Sequence, residues 1–253
     1  MTSIAFPLPV GEGGPKGRMR VAVLCGVLSG TLLVLSLPKP DLYPFAWVAL
    51  VPLLFVIARK GNAKRAAAGA YATGLIFFAG TFYWITETMM IYGGLPLSLA
   101  AGVGALFSVV YALYFLIFGL GLHLAIRKFG PSGLLFAAPL WVTVELLRAY
   151  LFSGFPWMFS GYALVPYAGI LQIVTWTGIY GLSFIAAAVN SAIAYGVIQR
   201  NRKWIIGAVA AIAIAWFLPI VGETASHDPV AVRLVQTNIS LDQPWQKDRK
   251  SVV

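Results

Sequence analysis

Charge is scarce in this chain. Only 10% of its 253 residues are charged, against about 25% in an average soluble domain, and 60% are apolar. Acids are scarcer than bases, with 8 Asp and Glu facing 18 Lys and Arg for a net charge of +10. A single cysteine, Cys25, excludes a disulfide framework and a Cys-rich metal site. It falls in an apolar run with no Lys or acid beside it, where a thiol is inert, so it is rejected as a nucleophile. The two histidines, His123 and His227, stand far apart without ligand spacing. There is no Gly-rich phosphate loop, no pair of soluble carboxylates and no Ser/His/Asp set. The sequence therefore calls for no metal and no cofactor, and none of its residues form a convincing catalytic constellation.

What the chain does have is long apolar runs, several of which reach the roughly 17–25 residues that cross a bilayer. Seven spans are expected, at about 21–37, 45–58, 66–85, 97–126, 133–152, 178–198 and 204–221. The expected fold class is an all-α polytopic membrane protein. Arg18 and Arg20 flank the first span, and Arg59, Lys60, Lys64 and Arg65 separate the second from the third. Arg127 and Lys128 follow the fourth, and Arg200, Arg202 and Lys203 follow the sixth. The intervening loops hold only Lys39. Such alternation is the positive-inside pattern and places the N-terminus in the cytoplasm and the C-terminal tail outside, in the periplasm. Because the bases sit in short clusters between spans rather than along one soluble face, the positive charge does not point to nucleic acid. Lys16, Arg18 and Arg20 before an apolar stretch resemble a signal peptide, but no small-residue cleavage site follows, so a retained first helix is expected.

Three segments emerge. Residues 1–17, rich in Gly and Pro, are expected to be disordered; 18–222 form the membrane domain; and 223–253 open a soluble domain. Val230 to Ile239 have the character of that domain's first strand. About twenty residues later the sequence stops at Val253, and one strand cannot bury a core. The expectation is a chain cut short at the start of its soluble half.

Two places stand out in the membrane part. The stretch 153–167 is long, aromatic and uncharged, with Pro156 and Pro166 to break helix and Gly154 and Gly161 to permit tight turns. A solvated loop would be polar, so this one belongs in the interface or re-enters the bilayer. An aromatic belt anchor is the commoner explanation, and the wall of a lipid-binding cleft the sharper one; Trp157 and Tyr162 are the residues concerned. Just before it, Glu145 and Arg148 share a helix face at i and i+3 and can pair. Ionisable groups inside a membrane are costly, so a functional role and a structural ion pair that holds the loop both remain open. Glu87 is expected to be a solvated helix end at the same outer level. Asn190 and Ser191 are expected to hydrogen-bond between helices, and His123 to be structural.

The run Trp141-Val142-Thr143-Val144-Glu145-Leu146-Leu147-Arg148, followed by Gly154-Phe155-Pro156-Trp157 and Gly161-Tyr162, strongly resembles bacterial apolipoprotein N-acyltransferase. Leu42-Tyr43-Pro44-Phe45-Ala46-Trp47 continuing to Leu54, Phe82-Tyr83-Trp84-Ile85, and Phe184 to Asn190 agree with it. Leu234-Val235-Gln236-Thr237-Asn238-Ile239, with Trp245 downstream, is similar to the start of that family's nitrilase-like domain, although many members have Gly where Thr237 stands.

The resemblance implies seven spans, a periplasmic α/β nitrilase-like domain (of which this chain holds one strand) and a final span, in the bacterial inner membrane. It implies transfer of an acyl chain from a phospholipid donor to the diacylglyceryl cysteine of a lipoprotein acceptor. A Glu-Lys-Cys triad would do this through a thioester, with the carboxylate as base and the lysine stabilising the oxyanion. All three would lie beyond Val253, so this chain alone is expected to be inactive. By resemblance Trp157 faces the lipid substrate, Trp245 lies near the active site, and Glu145 and Arg148 match a pair of no assigned role. Two rivals remain: a non-catalytic anchor for polyprenol-phosphate mannose synthesis, and a small-molecule transporter, for which only Asn190 and Ser191 supply midplane polar groups.

Overall fold

The computed structural model describes residues 14–59, 62–151, 154–219 and residue 233. Among these the regular structure is helical and no strand occurs. The expected strand at 230–239 and Trp245 lie outside the described residues, apart from Arg233.

Proline and capping residues set the helix starts. α1, Pro15–Ser36, has Pro at its first position, where a missing N–H costs nothing. A short 3-10 turn, Tyr43–Trp47, leads to α2, Val51–Ala58. α3, Ala63–Thr81, is capped by Asn62, whose side chain accepts the Lys64 N–H at 2.6 Å. α4 is Tyr83–Ile91 and α5 is Leu97–Phe129. A 3-10 turn, Gly130–Phe136, precedes α6, Ala137–Tyr150. α7 is the single turn Val174–Thr177, α8 is Ile179–Ile198, and α9 is Arg202–Phe217, capped by Asn201.

Small residues set how these helices pack. A Cβ on Gly26 would come 2.2 Å from the Gly69 carbonyl oxygen, and one on Gly119 would come 2.4 Å from the Ala70 Cβ. The backbones of α1 and α3, and of α3 and α5, therefore approach as small-residue membrane helices do. The contacts Gly26 to Gly69 and Gly80 to Val34 run in step, so α1 and α3 are parallel. Those of Gly119 with Ala66 and Gly74 with Ala112 run in opposite steps, so α3 and α5 are antiparallel.

α1 and α8 are each long and apolar enough to cross a membrane, and α3 with α4 passes the same test as a bent pair. Residues 97–150 also pass as one 54-residue stretch, but they are not one rod. Phe118 meets Trp141 edge-on at 5.0 Å. On a straight helix 23 residues would separate them by about 35 Å. The chain turns back at Gly130, where φ is +65°, and α6 returns antiparallel along α5. The second, fifth and seventh apolar stretches carry the shorter helices α2, α6 and α9.

Asn190 ties the centre together. Its amide donates to the Ala46 and Ala186 carbonyls at 2.8 Å each, and its Oδ1 accepts the Leu50 N–H at 2.8 Å. Ser191 donates to the Leu134 carbonyl at 2.6 Å. Asn190 thus ties α8 to the chain entering α2, and Ser191 ties it to the 3-10 turn before α6, the cross-linking between spans that was expected of them. His123 is buried in α5, and Cys25 is half-buried in α1.

Candidate functional site: the aromatic end of the bundle

α6 brings Trp141, Glu145 and Arg148 onto its buried face, since steps of three and four residues return to the same side of a helix. Glu145 is 5% exposed and Arg148 4%. Among the described residues no ion pair within 4.0 Å joins them; each charge holds a different part of the following loop instead.

Glu145 Oε1 accepts the Ser160 N–H at 2.8 Å, the Ser160 hydroxyl at 2.9 Å and the Trp141 indole N–H at 3.2 Å. Trp141 also donates to Ser160 Oγ at 2.8 Å. The Arg148 guanidinium donates to the Phe155 and Met158 carbonyls at 3.2 Å each, and to the Trp157 carbonyl. Its cation also lies 4.8 Å from the Phe159 ring and 5.5 Å from the Phe78 ring. A planar fork with five donors suits three carbonyls pointing one way, whereas an ammonium presents only a point charge.

Two glycines make this path possible. Gly154 has φ +76°, and a Cβ there would come 2.0 Å from the Ala149 carbonyl oxygen. Gly161 lets the loop lie on α8: its N–H donates to Ser183 Oγ at 2.9 Å, and a Cβ would come 2.5 Å from the Ile179 carbonyl oxygen. Met158 also adopts a left-handed conformation, with φ +56°. That is rare for a side chain with a Cβ, and it persists here beneath the Arg148 clamp.

The clamp fixes backbone and leaves aromatic side chains outside. Phe155 packs on Phe82 at 5.3 Å and on Tyr111 at 5.1 Å. Trp84 lies parallel to Phe155 and 5.5 Å from Trp157. Trp157 remains 53% exposed, and Tyr162, stacked on Phe159, 36%. At the far side of the same end, Trp47 donates to the Tyr167 hydroxyl at 2.7 Å. Burial pushes the Tyr167 phenol above its ordinary pKa.

Of the expected site residues, the structure brings Glu145, Arg148, Trp157 and Tyr162 to one end, while Trp245 lies outside the described residues. Trp141, Ser160 and Ser183, which sequence reasoning had not assigned to the site, complete the clamp. The signal available for Trp141 was its spacing of four from Glu145; Ser160 and Ser183 carried none.

The profile of the apolipoprotein N-acyltransferase N-terminal domain matches residues 29–192. Among relatives, the apolipoprotein N-acyltransferase of Geobacter metallireducens is 41% identical over 170 residues, covering 66% of this chain and 32% of the relative. That of Ralstonia nicotianae is 30% identical over 242 residues, covering 92% and 45% respectively. That of Methylococcus capsulatus is 29% identical, covering 91% and 46%. The chain thus spans less than half the length of these relatives. The matched segment contains the whole clamp from Trp141 to Ser183, and the chain belongs to the apolipoprotein N-acyltransferase family.

Proposed function

We propose that this chain is the membrane domain with which an apolipoprotein N-acyltransferase holds its phospholipid acyl donor. The observation that carries the reading is the loop at 154–162. Two buried charges pin its backbone, yet Trp157 projects half-exposed at the end of the bundle. A loop serving only as a belt anchor does not need two desolvated charges to fix its path, because a ring at headgroup level is held by partitioning into the interface and not by a set backbone geometry. A substrate-facing wall does need a fixed path.

In this reading seven spans cross the inner membrane, with the basic loops in the cytoplasm and the aromatic end at the periplasmic face. Acyl chains lie against Trp157 and Tyr162, and the ester reaches up to a nitrilase-like domain carrying the Glu-Lys-Cys triad. The thiolate attacks the ester carbonyl, the lysophospholipid leaves, and the thioester passes its acyl group to the amino group of a lipoprotein's diacylglyceryl cysteine. Glu145 and Arg148 hold the wall and take no part in bond making. The transporter reading loses its support, because Asn190 and Ser191 are engaged with backbone groups.

A chimera tests the proposal. Residues 29–192 replace the matching domain of the Geobacter metallireducens relative, and N-acylation of a diacylglyceryl lipopeptide is measured. Activity within about tenfold of the parent is expected, since a misplaced wall costs more than that. A folded chimera that forms no acyl-enzyme would overturn it.

A further inference from the structure

Among the described residues of 14–219, the aromatic end has one exposed cation whose position is unexplained. α1 and α3 run parallel from the basic residues Lys16, Arg18, Arg20, Lys64 and Arg65, with Arg59 at the end of α2 just before α3 begins, and α1 and α3 both end beside Tyr83. Arg127 and Lys128 lie at the far end of α5, about 24 Å along the helix from the Tyr111 that touches Phe155. Arg200, Arg202 and Lys203 follow the far end of α8, whose first turns meet Phe159 and Gly161. Arg148 is at the aromatic end, but it is buried and its donors are taken by carbonyls. Among the described residues of 14–219, that leaves Lys39 as the exposed base at this end.

Lys39 stands between Pro38 and Pro40, and its ammonium lies 3.6 Å from the centroid of the Tyr83 ring. The ring face attracts the charge without a hydrogen-bond acceptor, and among the described residues no acceptor takes up the ammonium's donors. Tyr83 immediately precedes Trp84, whose ring meets Trp157 at 5.5 Å. Tyr83 and Trp84 share the first turn of α4, so the cation stands on the same helical turn as the proposed lipid wall. Two acids share this end, Asp41 and Glu87; neither forms an ion pair with Lys39 among the described residues.

We propose that Lys39, held over Tyr83, binds the phosphate of the phospholipid whose acyl chain rests on Trp157. The inference rests on the donor-holding reading above. Phosphate and acyl ester are joined through glycerol, so a lipid with its chains on Trp157 and Trp84 presents its phosphate at the rim formed by Tyr83. An ammonium with free donors there makes a charge-assisted contact, and the rigid Pro-Lys-Pro segment reduces the entropy lost on binding.

Direct binding to the purified chain of residues 1–253 tests this, using native mass spectrometry. The probes are dioctanoyl phosphatidylglycerol, dioctanoylglycerol without phosphate, and inorganic phosphate as competitor. Lys39→Gln is expected to weaken the phospholipid about tenfold, as loss of one charge-assisted contact does, and to leave the diacylglycerol unchanged. Lys39→Arg should restore it, and Trp157→Ala should weaken both lipids. An equal effect of Lys39→Gln on both lipids, or none on either, would overturn the phosphate contact while sparing the lipid wall. Competition by inorganic phosphate as strong as by phospholipid would reduce the site to a free-anion site and overturn it too. If the unaltered chain binds neither lipid, the donor-holding reading fails and this inference with it.

Discussion

Glu145 and Ser160 are joined twice across fifteen residues of chain: one carboxylate oxygen accepts the Ser160 N–H at 2.8 Å and its hydroxyl at 2.9 Å. The carboxylate thus replaces the water that the loop backbone would otherwise require. Glu145→Gln keeps an acceptor of the same reach, whereas Glu145→Leu strands the Ser160 N–H and shifts Trp141 onto Ser160 alone. Each buried group left unpaired costs about 1–3 kcal/mol. Thermal unfolding in detergent should therefore show a clearly larger loss for Leu than for Gln. Equal losses would mean that the carboxylate carries no loop contact.

Arg148 should not tolerate lysine. The guanidinium serves the carbonyls of Phe155, Trp157 and Met158 together, which a single ammonium cannot span. Arg148→Lys is expected to speed proteolysis within 154–162 and raise amide exchange there, while α1 and α3 keep their protection. Unchanged exchange in the loop would show that the clamp is not needed. Since Glu145 and Arg148 act on one loop without touching, the losses from Glu145→Gln and Arg148→Met should be less than additive in a double-mutant cycle.

Glycines give a sign contrast. Gly154→Ala meets a positive φ and a carbonyl oxygen 2.0 Å away, and Gly161→Ala meets one at 2.5 Å. Both should lower the melting temperature. Gly102 and Gly207 lie in helices with nothing within 4 Å of an added Cβ. Alanine there should be neutral or stabilising by up to about 1 kcal/mol, the helix-propensity difference. Destabilisation at all four positions would reject the local geometry.

Much of this arrangement was legible in the sequence because it follows from period and composition. The apolar runs mark the helices, and Pro38, Pro96 and Gly130 mark breaks. Asn190 could be assigned to helix joining because an amide inside a span must find partners. The division of labour between Glu145 and Arg148 could not. Their i, i+3 spacing suggests a pair, yet the loop that returns beneath them offers three carbonyls to one charge and a serine to the other. That depends on the left-handed turns at Gly154 and Met158, and nothing in a sequence announces a methionine at φ +56°. The bend of α3 into α4 at Phe82 was hidden likewise, since the apolar run continues through it.

Topology follows from the two ends of the bundle. In a Cys25→Ser background, Lys64→Cys should be labelled only from the cytoplasm by a membrane-impermeant maleimide. Tyr92→Cys, beyond the end of α4 and 63% exposed, should be labelled only from the periplasm. Labelling of both from one side would sink the proposed orientation and the span count together.

The exposed aromatic residues should matter to lipid handling more than to folding. Trp157 is half-exposed and touches Trp84 and Phe155 only with its ring, so its truncation leaves the Arg148 clamp on the backbone intact. Tyr162 is likewise stacked on Phe159 at the surface. In an active full-length enzyme carrying this domain, Trp157→Ala should therefore slow acyl-enzyme formation about tenfold or more, with a melting temperature close to that of the parent. An interfacial tryptophan positioned against a substrate contributes binding at that scale, about 1.4 kcal/mol. If Trp245 stands near the ester, as the family resemblance implies, Trp245→Ala should slow the same step by acting on the ester rather than the chains. Its effect should thus persist with a short-chain donor, on which that of Trp157→Ala fades. If Trp157→Ala acylates at the parental rate with long-chain donors, the loop is a membrane anchor, as composition alone suggests, and the two buried charges beneath it serve stability only.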